Sequence, residues 1–192
     1  MKETIKKVLL VAMLLITVIG LTGCSQVNEE VTEDLSGLTA VNRAETEGYT
    51  TYLDASKVCF DYPADWISLG SDEMPMFVTT AGNGTSVNMT KEDVLSSISF
   101  SGYVEVAKTK IKQEMTVEGE IAQDEINLNG RKAYKLSYKA IDADSQITMN
   151  IVQTVIRIDN TMYVLTVGAV SDYYETEKDT LETILASFRY EG

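Results

Sequence analysis

The sequence contains no histidine, only two cysteines and fewer basic than acidic residues, and these shortages exclude several classes of function. Without histidine, neither a Ser-His-Asp triad nor a Cys-His catalytic pair can form. Zinc sites with a histidine ligand are excluded for the same reason, and two cysteines cannot supply a four-cysteine zinc site. The 29 acidic and 16 basic residues give a net charge of −13, which makes the chain a poor candidate for binding nucleic-acid phosphates.

The N-terminus has the layout of a secretory signal. Three lysines lie within the first seven residues, an apolar run follows at 8–19, and the segment ends in Leu21-Thr22-Gly23-Cys24. The run is shorter than the ~20 apolar residues of a membrane-spanning helix, and this layout is typical of a signal that is cleaved. The Leu-x-Gly-Cys motif resembles the lipobox of bacterial lipoproteins, which implies cleavage after a signal peptide of residues 1–23 and diacylation of Cys24. A plain secretory signal or an uncleaved anchor is the alternative.

Residues 24–48 are predicted to comprise the lipidated cysteine and a flexible acidic tether. The segment has few large apolar side chains and six acidic residues against a single arginine, so it cannot bury enough apolar surface to order itself. Two acyl chains suffice for stable anchoring, and the lipid bilayer is therefore the expected partner of Cys24. We expect an extracytoplasmic location, with the outer face of the cytoplasmic membrane favoured over an outer membrane.

Acylation of Cys24 would leave Cys59 as the remaining thiol, without a partner for an internal disulfide. Cys59 lies between Val58 and Phe60 in an apolar stretch, which predicts a buried and inert thiol. A reactive thiol is the alternative, but it would need an exposed and electropositive setting, to which nearby Lys57 alone would contribute.

Residues 49–192 are predicted to form one α+β domain. Strands are predicted at 49–53, 58–62, 76–80, 86–90, 120–128, 132–138, 146–158 and 162–170. Asn129-Gly130 is a strong hairpin signal, and connections as short as this one make neighbouring strands antiparallel. The segment 162–170 carries apolar side chains at odd and at even positions, which predicts that both of its faces are covered.

Two helices, predicted at 100–115 and 172–187, can supply that cover because each has an apolar face at helical spacing. Ser171 or Asp172 is the predicted cap of the second helix. The outward positions of this helix form an acidic stripe of Asp172, Glu175, Asp179 and Glu182. A solvated helix face explains the stripe, and a docking surface for a basic partner or a loose cation site is the alternative.

Four short motifs follow one another within residues 49–190: FDYPADW at 60–66, LNGRKAY at 128–134, DNTMYVL at 159–165 and LASF at 185–188. Their order resembles that of the PsbP-like superfamily, which includes the extrinsic subunit of photosystem II and a eukaryotic Ran-GTPase-binding protein. The resemblance implies a central antiparallel sheet flanked by helices on both faces, an α/β/α sandwich. It also implies a non-enzymatic role, since members generally bind other proteins or help to retain ions.

The motifs of this superfamily are structural, so the resemblance supplies no catalytic residues. Metal sites proposed for the photosystem subunit use histidines, and this chain has none. We therefore expect no metal site of that kind and no cofactor.

Motifs that carry chemistry are scarce. The sequence has no P-loop and no Cys-x-x-Cys pair. Asp142-x-Asp144 begins like a calcium loop, but Ile147 and Gln153 occupy the positions that require glycine and an acid, so a polar turn is predicted. Asp61 and Asp65 lie close to Trp66, which could stack on a sugar ring beside a carboxylate pair. Turn capping is the simpler interpretation of both aspartates.

The sequence thus predicts a membrane-anchored, extracytoplasmic, non-enzymatic binding or accessory module. An envelope protein is the possible partner, and nucleic acid is not expected to bind. An ion-retention protein that uses surface carboxylates is the first alternative, and a carboxylate-dependent hydrolase is the second.

Overall fold

The computed structural model describes residues 34–142 and 145–192. The predicted signal peptide, Cys24 and the first part of the predicted tether lie outside these residues, as does Asp144. In the part of the chain that the structure describes, no helix is long and apolar enough to cross a membrane.

The described residues form a sheet-rich α+β fold. The two helices are α1 Phe100–Glu114 and α2 Ser171–Ala186. The strands, in chain order, are β1 Thr39–Val41, β2 Tyr49–Leu53, β3 Val58–Pro63, β4 Ile67–Ser68, β5 Met76–Val78, β6 Ser86–Asp93, β7 Thr116–Leu128, β8 Arg131–Ile141, β9 Thr148–Ile158, β10 Thr161–Val170 and β11 Arg189–Tyr190.

The strands divide into a large sheet and a small one. The large sheet has eight strands in the order β1-β7-β8-β9-β10-β6-β5-β4, and the small sheet has three in the order β11-β3-β2. Neighbouring strands are antiparallel, except that β1 runs parallel to β7. In the small sheet, β2 and the last strand, β11, therefore lie on either side of β3.

The hairpin predicted at Asn129-Gly130 is confirmed. Leu128 pairs with Arg131 across this two-residue turn, and both turn residues have positive φ, 52° at Asn129 and 84° at Gly130. Two-residue turns with positive φ match the right-handed twist of the strands that they join. Asparagine and glycine adopt this backbone conformation at the lowest cost, so the local sequence sets the register of β7 and β8.

The large sheet has a hydrophobic core on each face. Adjacent residues of β10 alternate between the two cores, with Val164 in one and Leu165 in the other, because successive side chains of a strand point to opposite faces. One core includes Val104, Ala107 and other buried residues of α1. The other contains Leu181, Ile184 and Leu185 of α2 together with residues of the small sheet.

Aromatic side chains pack the small sheet against the large one. The ring of Tyr62 on β3 stacks on that of Phe77 on β5, with centroids 3.7 Å apart. Phe60 on β3 and Tyr52 on β2 pack around the same Phe77 ring. Such ring pairs add favourable energy beyond the area that they bury.

Both predicted helices are present, but their caps differ. Ser99 precedes α1, and its Oγ accepts a hydrogen bond from the N–H of Gly102 at 3.1 Å. The predicted cap of α2 by Ser171 or Asp172 is wrong, because Val170 occupies the cap position and no side chain there makes the capping bond. The Oγ of Ser171 instead accepts a hydrogen bond from Nδ2 of Asn150 on β9 at 3.0 Å.

Two further expectations need correction. The α+β class is confirmed, but the description as an α/β/α sandwich is incomplete, because the layer that contains α2 also contains the small sheet. The predicted C-terminal boundary of the flexible tether, residue 48, is too late, because Thr39–Val41 form β1 and are paired with β7. A segment of polar composition can be ordered by pairing with a sheet edge, a contact that its own sequence does not reveal.

Candidate functional site

Asp61 on β3 is buried and lies at the centre of an ionic network. Its Oδ2 accepts a hydrogen bond from Nε of Arg43 at 2.6 Å. Its Oδ1 accepts from Oγ1 of Thr51 at 2.6 Å and from Nη1 of Arg189 at 3.2 Å. Both carboxylate oxygens are therefore engaged by side chains that come from three different segments of the chain.

The network keeps Asp61 ionised. Burial by itself raises the pKa of this carboxyl, but the hydrogen bonds from Thr51 and Arg43 and the charges of Arg189 and Arg43 lower it more, so the pKa lies below its ordinary value. A general acid needs a raised pKa. Asp65 is exposed in the turn after β3 while Asp61 is buried, so the structure gives these two aspartates different environments. This arrangement is that of a structural ion pair.

Asp54 is a second buried carboxylate, and it forms an ion pair with the exposed Lys91. Its Oδ2 lies 3.0 Å from Nζ of Lys91 on β6, and its Oδ1 accepts a hydrogen bond from the N–H of Ser56. Burial raises the pKa of Asp54, but the bonds from Ser56 and Lys91 outweigh it, and the pKa is lowered overall. The pair links the turn after β2 to the large sheet and is structural as well.

Cys59 is fully buried on β3. Burial is the main cause that raises the pKa of its thiol to about 11, although the charge of Arg189 acts in the opposite direction. The thiol is therefore protonated at neutral pH, as an inert core cysteine should be.

The four acidic side chains singled out on α2, namely Asp172, Glu175, Asp179 and Glu182, are all exposed to solvent. Tyr174, on the same helix, is partly buried. Burial first, and then the charges of Glu182 and Glu175, raise the pKa of the Tyr174 hydroxyl, whereas Lys178 lowers it. One flank of the acidic stripe thus lies beside the Tyr174 ring.

That ring lines a shallow groove between α2 and the large sheet. The groove has a volume of about 440 Å³. Its lining consists of residues from β7, β8 and β9 together with Tyr174: Glu118, Gly119, Glu120, Ser137, Tyr138, Lys139, Asn150, Ile151 and Val152. It combines an aromatic ring and aliphatic groups with exposed polar side chains at its rim, which suits a contact with another molecule.

A bulge in β7 shapes this groove. The pairing of β7 with β8 shifts between Glu118 and Ala122, and Gly119 lies in this interval with a φ of 78°. A β-bulge bends the strand and redirects its side chains. The groove was missed from the sequence, because the strand was predicted to begin at residue 120 and β7 begins at Thr116, so Gly119 lies inside the strand, where a glycine is a signal for such a bulge.

The possibility of a cation site gains no support from the described residues. Among residues 34–142 and 145–192, no group of three or more acidic or cysteine side chains is arranged to hold a metal ion. Asp142 accepts hydrogen bonds from the N–H and the Oγ of Ser145, both at 2.6 Å. These bonds are those of a polar turn, as predicted for this segment.

Comparisons with known proteins agree with the fold. The solution structure of cyanobacterial PsbP (CyanoP) from Synechocystis has a TM-score of 0.59 at 15% identity, and the match covers 76% of this chain and 94% of that one. The Ran-binding protein Mog1p of Saccharomyces cerevisiae has a TM-score of 0.54 at 10% identity, with 76% and 96% covered. At these identities the likeness shows a shared fold alone.

At the sequence level, the comparison with curated proteins gives no significant match. A family model described as PsbP-like protein, however, matches residues 7–190, almost the entire chain. The resemblance inferred from the motifs is thereby confirmed, and the chain belongs to the PsbP-like protein family.

Proposed function

We propose that this protein is a membrane-anchored, extracytoplasmic lipoprotein whose PsbP-like domain is a non-enzymatic binding or accessory module. Cys24 carries the acyl chains and holds the protein in the bilayer, on the outer face of the cytoplasmic membrane. The domain then docks a second envelope protein through the groove beside α2. The hydrolase alternative is not proposed, because Asp61 is held in ion pairs with Arg43 and Arg189.

The single observation that supports the docking role is the groove at Tyr174 with exposed carboxylates beside it. Glu118 and Glu120 lie in its lining, and Glu175 and Glu182 lie close enough to Tyr174 to raise the pKa of its hydroxyl. Lys139 and Lys178 offset only part of this charge. Complementarity therefore favours a partner with a basic surface, since opposite potentials steer association.

The fold that this chain shares with Mog1p is consistent with a docking role. Mog1p, which shares the fold, is a protein that binds another protein, Ran. A fold does not fix a partner, so the expectation of a basic partner comes from the charge of the groove.

The docking role is tested by photo-cross-linking in intact cells. A photoreactive amino acid at Ser137, in the groove, should capture one abundant protein, whereas the same group at exposed Val106 on α1 should not. The charge-reversal variants Glu118→Lys and Glu175→Lys should weaken capture at Ser137. Equal capture from Ser137 and Val106 would refute a docking site in the groove.

The anchor is tested separately. Cys24→Ser should abolish acylation and leave the chain unprocessed, as measured by labelling with an alkyne fatty acid and by the mass of the purified protein. If Cys24→Ser is acylated and cleaved like the unchanged chain, the lipoprotein proposal is wrong.

A further inference from the structure

The last part of the expected tether is fastened to the domain, and we call its residues 39–43 the strap. Its first three residues form β1 and pair with the end of β7, with Thr39 opposite Ile126 and Val41 opposite Leu128. Asn129, in the turn that follows β7, then binds the strap twice. Its N–H donates to the carbonyl oxygen of Val41 at 2.9 Å, and its Oδ1 accepts from the N–H of Arg43 at 2.6 Å.

Arg43 makes a second contact between the strap and the domain, an ion pair with Asp61. Its Nε donates to Oδ2 of Asp61 at 2.6 Å, and the side chain of Arg43 is 36% exposed whereas that of Asp61 is 8% exposed. Asn129 also donates through Nδ2 to the carbonyl oxygens of Ala186 and Phe188. The strap is thus held by the large sheet, by the β7–β8 turn and by the small sheet.

The strap and the groove lie at opposite ends of the same strands. On β8, Ala133 pairs with Ile126, where the strap is attached, and Lys139 pairs with Glu118, which lines the groove. Lys139 lies six positions after Ala133, a distance of about 20 Å at the rise of a β-strand. Asp34, the first described residue, also lies at the strap end: its pKa is lowered mainly by the hydrogen bonds with Ser36 and also by the charge of Lys132, and Lys132 pairs with Asn127. The side of the domain on which the chain emerges therefore differs from the side that carries the groove.

We propose that the strap fixes the point at which the tether leaves the domain, so that the groove points away from the membrane. This inference rests on the proposed anchor at Cys24. With the strap in place, residues 25–38 connect the anchor to the domain, and their fully extended length is about 49 Å. With the strap released, residues 25–48 would connect the anchor to the domain, with an extended length of about 84 Å. The ordered part of the domain would then begin at β2.

The strap itself is tested without a membrane, by amide hydrogen exchange on the full chain in detergent. The amides of Arg43 and Asn129 should be protected, and Arg43→Ala should accelerate their exchange at least tenfold. Arg131→Ala is the matched control, since Arg131 lies in the same turn region but contacts the Tyr190 ring. Ala40→Pro alters the edge strand alone and should act like Arg43→Ala. Exchange of both amides at the rate of an unstructured peptide in the unchanged chain would overturn the inference.

The orientation is tested on the acylated chain in vesicles of phosphatidylcholine and phosphatidylglycerol that contain an acceptor dye on a lipid. Donor dyes are placed at Lys139→Cys, beside the groove, and at Asn160→Cys, in the β9–β10 turn at the strap end of the sheet. Buried Cys59 should not react at neutral pH. Energy transfer should be weaker from position 139 than from position 160, and Arg43→Ala should reduce the difference.

The two proposals fail in different ways. Equal transfer from both positions, in a chain whose strap amides are protected, would refute the orientation. A chain that does not stay on the vesicles would refute the anchor, while the exchange experiment would still decide whether the strap exists.

Discussion

Replacement of Asp61 by asparagine tests whether the ionic network stabilises the fold. The substitution keeps the shape of the side chain and removes its charge. Arg189, which is 13% exposed, would lose its ion pair with Asp61 and keep only the pair with the more exposed Glu191, and a largely buried charge that loses a buried partner is costly. The loss should appear in the free energy of unfolding and not in the secondary structure of the folded chain.

The expected loss follows from the burial of the three charges. Removal of one partner from a fully buried pair costs about 3–5 kcal/mol. Arg43 is 36% exposed and can be rehydrated, and Arg189 keeps its ion pair with Glu191, so we expect Asp61→Asn to lower the free energy of unfolding by about 2–4 kcal/mol. Arg43→Ala should cost less, about 1 kcal/mol, because that arginine is partly exposed.

Urea unfolding followed by circular dichroism measures both values, with Glu182→Gln as the control. Glu182 is an exposed acid on α2, and its substitution should change stability by less than about 0.5 kcal/mol. The midpoint of Asp61→Asn should fall with an unchanged slope, which indicates a true loss of stability. A loss below about 1 kcal/mol would mean that the network behaves like a solvated surface pair, and the reasoning would be refuted.

Three further predictions concern pH, the thiol and the core. Because the pKa of Asp61 is lower in the folded chain than in the unfolded one, its stabilisation is complete above the unfolded pKa and declines as the pH falls through the folded pKa. Acid titration from pH 6 to pH 2 should therefore destabilise the unchanged chain more than Asp61→Asn, and parallel curves would contradict this. Cys59 should react with a thiol reagent at pH 7 only after unfolding; rapid reaction of the native chain would show that it is accessible. Phe188→Ala should cost about 3–5 kcal/mol in urea unfolding, since Phe188 is fully buried, and a loss below about 1 kcal/mol would show that the site is loosely packed.

Local patterns were sufficient for much of the secondary structure. The first helix was predicted at 100–115 and lies at Phe100–Glu114, and the second was predicted at 172–187 and lies at Ser171–Ala186. The hairpin at Asn129-Gly130 was predicted as well. Each of these features depends on residues a few positions apart, whose periodicity or turn conformation is a property of the local chain.

Contacts between distant segments could not be predicted in this way. Asp61 meets Arg43 and Arg189, which lie 18 and 128 residues away in sequence. The small sheet brings β11, at the end of the chain, beside β3. Neither segment carries a local pattern that identifies its partner, because an ion pair or a two-residue strand forms only after the larger elements have packed.

The candidate groove likewise depends partly on local sequence patterns and partly on contacts between distant segments. The exposed acidic stripe on α2 was visible in the sequence, since helical periodicity separates its polar side from its apolar side. The bulge at Gly119 that shapes the groove shifts the register that the Asn129-Gly130 turn sets, and the sequence of β7 alone does not specify that shift. The structure places Tyr174 at the boundary between the two sides of α2, where it is partly buried and lines the groove.

The sequence by itself determined the α+β class, the main helices and hairpins, and the absence of histidine chemistry. These depend on composition and on short-range periodicity, which act before any tertiary contact forms. The tertiary structure alone decided that Thr39–Val41 join the domain, that Asp61 is a buried ion-pair centre, and that a groove lies between α2 and the large sheet. Those features need the global packing of the two cores, which brings together side chains that are far apart in the chain.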